Sequence, residues 1–170
     1  MGNHNRLTQQ KPELALQVKG LTKSYGKVCA LQGIDLEVKL GEIFGFLGPN
    51  GAGKTTTIRC LLDMIRPDGG QALVLGLDPQ KKPVLVQENI GYLPGEMQFY
   101  ENMTVERQLR FFHNMRGTKD GWRIVVKMAE YLDLDLTPQI KNLSKANKQK
   151  LGVIQALMHH PKLLLLDEPT

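Results

Sequence analysis

Long hydrophobic runs are missing from this 170-residue chain. No stretch approaches the roughly 18 apolar residues of a bilayer-crossing helix, so none is expected. The start, Met1-Gly2-Asn3-His4-Asn5-Arg6, lacks the apolar segment of a secretory signal. Arg6 stands where an N-myristoylation signal carries Ser or Thr. Residues 1–13 are expected to form a flexible tail. Cysteine is scarce: Cys29 and Cys60 have neither metal-ligand nor redox spacing. That excludes a disulfide framework and fits reduced thiols in a cytosolic chain. There is no internal repeat, no low-complexity segment and no dense block of one charge. Net charge is +5, with Lys and Arg dispersed, so nucleic acid is not an expected partner. The densest basic group, Lys141, Lys145, Lys148 and Lys150, is open to nucleotide, partner or solvent. Hydrophobic residues at 41% and charged residues at 23% are ordinary for one soluble globular domain.

What is present is concentrated in nine residues. Gly48-Pro49-Asn50-Gly51-Ala52-Gly53-Lys54-Thr55-Thr56 fits G-x-x-x-x-G-K-[ST], the phosphate-cradling P-loop. Backbone N–H groups must wrap phosphate oxygens, so side chains must be absent where the chain bends tightest. Gly48, Gly51 and Gly53 are expected to supply the left-handed backbone of that bend. Lys54 places a charge near the β- and γ-phosphates, and Thr55 offers a hydroxyl to Mg²⁺. A helix opening here aims its positive dipole end at the nucleotide. A chance match in a chain this long is roughly a one-per-cent event or rarer.

The flanking pattern agrees with that setting. Gly41 to Leu47 reads as a turn and a short buried strand, and Thr56 to Ile65 as a helix with Ile58, Leu61, Leu62 and Ile65 on one face. Upstream, Leu14–Val18 and Val28–Val38 read as strands, the second broken at Gln32-Gly33. Arg66 to Gly70 is a turn, and Ala72–Leu75 and Ile90–Leu93 are further strands. From about 97 to 143 strand signals give way to a helical insert. Its helices are Thr104–Arg116, with Leu109, Phe112 and Met115 close to one face, and Trp122–Leu132, with Val125, Met128, Ala129 and Leu132 inward. Asn147 to His160 is a helix stopped by Pro161, its two terminal histidines suited as imidazolium to the dipole. Leu163–Leu166 is an apolar run expected as a central parallel strand buried on both faces.

That run leads into Asp167-Glu168, at the strand end where α/β folds place ligands. In P-loop enzymes an aspartate here holds Mg²⁺, directly or through water. The following glutamate, Glu168, can polarise an attacking water as general base. Together these motifs make the chain resemble the nucleotide-binding domain of an ABC (ATP-binding cassette) ATPase over residues from about 14 to 170. Gly48 to Thr56 and the ending Leu-Asp-Glu-Pro-Thr resemble its Walker A and Walker B segments. The resemblance implies an α/β fold: a P-loop NTPase core with a mostly parallel sheet, an N-terminal antiparallel β subdomain and the helical insert. Residues 14–170 would form one such domain.

The resemblance also implies roles. Leu21 to Gly26 resembles the aromatic loop, whose Tyr25 would stack on adenine. Leu143-Ser144-Lys145-Ala146-Asn147 resembles the signature sequence, which closes in trans on the γ-phosphate of a second, head-to-tail subunit. Its Lys and Asn resemble those of bacterial antibiotic-resistance and ABC-2 type exporters. Glycine is usual at Ala146; if the backbone there takes φ > 0, the methyl adds roughly 1–2 kcal/mol of strain. Gly95 replaces a glutamine that reaches Mg²⁺, and Glu96 is open to that role or to a solvated loop. The family's later strands, and a histidine that contacts the γ-phosphate, would follow Thr170. Without these C-terminal strands, the chain is expected to be poorly soluble alone, or a fragment of a longer protein. The implied function is an ATP-hydrolysing subunit, with ATP and Mg²⁺ as cofactors, at the cytoplasmic face of the cell membrane. It would drive an export permease contacted through the helical insert. A turnover-incompetent cassette and a non-transport ABC ATPase are the alternatives.

Overall fold

The computed structural model describes residues 14–116 and 121–167. The chain divides into two compact units, Met1–Val86 and Gln87–Thr170.

In the first unit β1 (Leu14–Tyr25), β2 (Val28–Lys39) and β3 (Gly69–Val74) form an antiparallel sheet in the order β2-β1-β3. β1 runs well past Val18 and ends at Tyr25, so this tyrosine sits on a strand end rather than in an open loop. The Gln32-Gly33 interruption is a bulge, not a break. Leu21 pairs with Ile34 and Thr22 with Gln32, leaving Gly33 between them. Helix α1 (Lys54–Leu61) buries Thr57, Ile58, Cys60 and Leu61. It opens two residues before the expected start and stops a turn early, because Asp63 turns left-handed at φ 52°. β3 likewise begins inside the expected turn, and Leu75, at φ 51°, falls outside it.

The expected strand before the P-loop does not form. Residues 42–49 have no regular structure, and Ile43 and Leu47 are 101% and 91% exposed. A strand exists through its hydrogen-bonded partner, and no described strand pairs with this segment. Helix α2 (Pro83–Glu88) was not anticipated; six residues are too few for a periodic signal.

In the second unit β4 (Ile90–Leu93) and β5 (Leu163–Leu166) pair in parallel, Ile90 opposite Leu163 and Leu93 opposite Leu166. β5 is not buried on both faces. Leu165 is covered, whereas Leu164 and Leu166 are exposed, since β4 is its only strand partner among the described residues. The insert region is helical as expected, with α3 (Val105–Arg116), α4 (Gly121–Tyr131) and a 3-10 turn at Ile140–Asn142. Together with α5 (Lys145–Leu157) they enclose a core of Val105, Leu109, Val125, Ala129, Leu134, Ile140, Leu151, Ile154 and Met158. Of the residues expected close to one face of α3, Leu109 is buried and Met115 is exposed.

Two small residues seat α5 on β4. A Cβ on Gly91 would overlap the Ala156 carbonyl, and one on Gly152 would overlap Met97 and Leu93. The buried Gln108 links α3 to α5, donating to Gln155 Oε1 at 3.1 Å while its Oε1 accepts from the Tyr100 N–H at 2.9 Å. His159 is not the imidazolium expected at this helix end. Its Nε2 lies 2.9 Å from the Ile90 carbonyl, and its buried Nδ1 has no partner. Burial pushes its pKa down, with Arg116 and His160 adding to the effect and the Ile90 bond opposing it. Among the described residues no helix is long and apolar enough to cross a membrane.

Candidate nucleotide-binding site

The P-loop is built where the backbone geometry is most demanding. Gly51 and Gly53 are left-handed, at φ 85° and 87°. Gly48 is not; its contribution is space, since a Cβ there would come 3.1 Å from the Ala52 Cβ. Gly53 is also the N-cap of α1 and has no side chain to offer the first-turn amides. A helix N-terminus that lacks a side-chain cap is the kind of end that an anion can complete. A Cβ on Gly53 would lie 2.5 Å from Leu31 Cδ2 and 2.6 Å from the Ala30 carbonyl. The loop thus rests directly on the backbone of β2.

Three further bonds fix the loop. Lys54 Nζ donates to the carbonyls of Gly48 at 2.6 Å and Pro49 at 3.0 Å, which holds the ammonium across the mouth of the loop. Thr57, which sequence reasoning missed, is buried, and its Oγ1 donates to the Gly53 carbonyl at 2.9 Å. The available signal was the hydroxyl four residues after the last loop glycine, the spacing of a helical back-bond. Pro49, Asn50 and Ala52 are exposed along the loop, and Thr55 and Thr56 are half-buried in the first turn of α1.

Tyr25 ends β1 opposite Val28 across the Gly26-Lys27 turn, with its side chain about half exposed. Lys23 Nζ lies 5.8 Å from the centre of its ring.

In the second unit Asp167 follows β5, buried at 6% exposure, with its backbone N–H donating 2.9 Å to the Leu93 carbonyl. Glu96, three residues beyond Leu93, is exposed in the loop leaving β4. Since Leu93 pairs with Leu166, both carboxylates stand at the carboxyl end of this two-stranded sheet. Glu168 lies outside the described residues. No cluster of three or more His, Cys, Asp or Glu occurs among the described residues. Within the second unit, single carboxylates of this kind suit Mg²⁺, which keeps waters and substrate phosphates as its other ligands.

The residues that resemble the signature sequence open α5. Ser144 is the N-cap, and its Oγ accepts from the Asn147 N–H at 3.2 Å. Lys145, Ala146 and Asn147 form the first turn. Ala146 is helical and is not among the residues with positive φ, so its methyl introduces no backbone strain. The basic group divides. Lys148 pairs with Glu101 at 2.8 Å and Lys150 donates to the Asp133 carbonyl at 3.1 Å, whereas Lys141 and Lys145 are exposed.

Comparison with known proteins agrees with this geometry. The profile of the ABC transporter family matches residues 31–170. A probable multidrug ABC transporter ATP-binding protein of Escherichia coli, YbhF, is 39% identical over 163 residues, covering 93% of this chain and 28% of that protein. The bacitracin transport ATP-binding protein BcrA of Bacillus licheniformis is 37% identical over 161 residues, covering 91% and 51%. Among solved structures, an ATP-binding subunit of an ABC transporter superposes with a TM-score of 0.83 at 28% identity, covering 91% of this chain and 66% of the other. The chain thus spans about half, or less, of the length of these curated relatives. It belongs to the ABC transporter family of ATP-binding proteins.

Proposed function

We propose that this chain is the ATP-binding part of an ABC exporter, coupling binding and hydrolysis of ATP to transport through a membrane permease. One observation carries the nucleotide role: a left-handed Gly53 opens α1 without a side-chain cap, under a lysine already held across the loop. The loop amides and Lys54 bind the phosphates, and Tyr25 stacks on the base. Thr55 and Asp167 would hold Mg²⁺, with Glu96 as a further oxygen, and a bound ion there would supply charge neutralisation for the phosphates. Glu168 takes the proton of the attacking water. Ser144 and the first turn of α5, Lys145 to Asn147, present a hydroxyl and a helix N-terminus to the γ-phosphate held by a second copy in a head-to-tail dimer. Catalysis on this scheme is positioning and electrostatics. Export is supported by the names of the relatives, which include multidrug and bacitracin transport proteins.

Equilibrium binding of a fluorescent ATP analogue tests the reading. Lys54→Ala should weaken binding at least tenfold. Glu168→Gln should keep binding while abolishing phosphate release from the chain assembled with its permease. Equal affinity in Lys54→Ala would overturn the phosphate role.

A further inference from the structure

We propose that Asp68 is a positioning residue for the base of the bound nucleotide, acting through the strand end that carries Tyr25. The inference rests on the reading of Tyr25 as the base-stacking platform. β1 loses its β3 neighbour just before that tyrosine: the last β1–β3 pair is Thr22 with Gly69. From Lys23 to Tyr25 the strand has only β2 beside it in the sheet. Asp68, the residue before β3, fills the vacated edge. Its N–H donates to the Thr22 carbonyl at 2.9 Å. Its Oδ2 accepts from the Ser24 backbone N–H at 2.7 Å, and its Oδ1 accepts from Lys23 Nζ at 2.8 Å. One carboxylate thus continues the edge by two residues beyond Thr22, holding the Lys23 side chain and the Ser24 backbone together.

The anchored lysine connects this clamp to the aromatic ring. Lys23 and Tyr25 are two residues apart on a strand, so their side chains share a face. Lys23 Nζ stands 5.8 Å from the Tyr25 ring centre, within cation–π range. Lys23 is 17% exposed although charged, and the bond from Asp68 holds its pKa up. The same bond, with the one from Ser24, holds the Asp68 carboxyl below its ordinary value. An ammonium fixed on one side of the ring restrains its tilt and leaves the other face for a base. Truncating Asp68 frees Lys23 and the Ser24 amide together. The ring then samples orientations that do not stack, while the phosphate loop is untouched.

The experiment measures affinity for ATP and for inorganic tripolyphosphate in the wild-type chain, Asp68→Ala, Asp68→Asn, Tyr25→Ala and the Asp68→Ala/Tyr25→Ala double variant. Base–aromatic stacking implies a loss of about 5- to 100-fold in ATP affinity for Tyr25→Ala. Asp68→Ala should lose about 3- to 10-fold for ATP and less than about twofold for tripolyphosphate. Its effect should vanish in the Tyr25→Ala background. Asp68→Asn, which keeps an acceptor for the Ser24 amide, should fall between. Three results would overturn the proposal: ATP affinity of Asp68→Ala within twofold of wild type, equal losses for ATP and tripolyphosphate, or losses that add in the double variant. An unchanged Tyr25→Ala would instead show that the stacking reading itself is wrong, and the proposal would fall with it.

Discussion

At the scale of single residues, Gly53 and His159 carry the sharpest expectations. Gly53→Ala forces a side chain onto a left-handed backbone and against the Ala30 carbonyl. The backbone term alone is about 1–2 kcal/mol, so the urea midpoint should fall by at least that equivalent. His159 gives a pH dependence whose sign is fixed by its environment. Its Nε2 can only donate to the Ile90 carbonyl, so Nδ1 carries the lone pair and protonation would bury an unpartnered N–H. The folded pKa therefore lies below the unfolded value of about 6.5. Above that value both states are neutral and the residue adds no pH dependence. Below it the unfolded chain takes up the proton first, and stability falls until the folded pKa is passed. Urea midpoints between pH 7.5 and 5.5 should drop more in the wild type than in His159→Gln. The P-loop itself was legible in the sequence because its geometry is local: glycines, lysine and threonine within nine residues define it. Asp68 was not, since its partners lie 44 and 45 residues away and Pro-Asp-Gly reads as simple turn chemistry.

At the scale of elements, sequence reasoning succeeded where an element is stabilised by its own periodicity and failed where a partner decides. The helices between 104 and 132 and the leucine strand are present, because amphipathic spacing and unbroken apolar runs are local signals. The strand expected at Gly41–Leu47 is absent, since its apolar residues specify burial but not the neighbour that provides it. α5 begins at Lys145, two residues before the expected start at Asn147, because Ser144 caps it. Ser144→Ala should cost about 1 kcal/mol, and Ser144→Asp, which caps equally well, should restore that stability. Thermal melting of both variants checks the pair. If Ser144 also closes on a γ-phosphate in trans, the aspartate variant recovers stability without recovering phosphate release.

At the scale of the whole molecule, several large apolar side chains stand exposed among the described residues. Ile43, Phe44 and Leu47 precede the P-loop in the open, and Leu164 and Leu166 face outward from β5. Patches of this kind favour association. Replacing Ile43 and Leu47 together by lysine should raise the concentration at which light scattering appears, with the melting temperature within about 2 °C of the wild type. Inside the second unit the seating of α5 on β4 has a mechanical consequence. Gly91 lets the strand backbone meet the helix backbone at Ala156, and Gly152 lets the Met97 and Leu93 side chains press directly on the helix. Such a joint has almost no backlash. A displacement of the segment leaving β4, where Met97 lies against Gly152, should therefore move with α5, the helix that Ser144 caps, rather than slide past it.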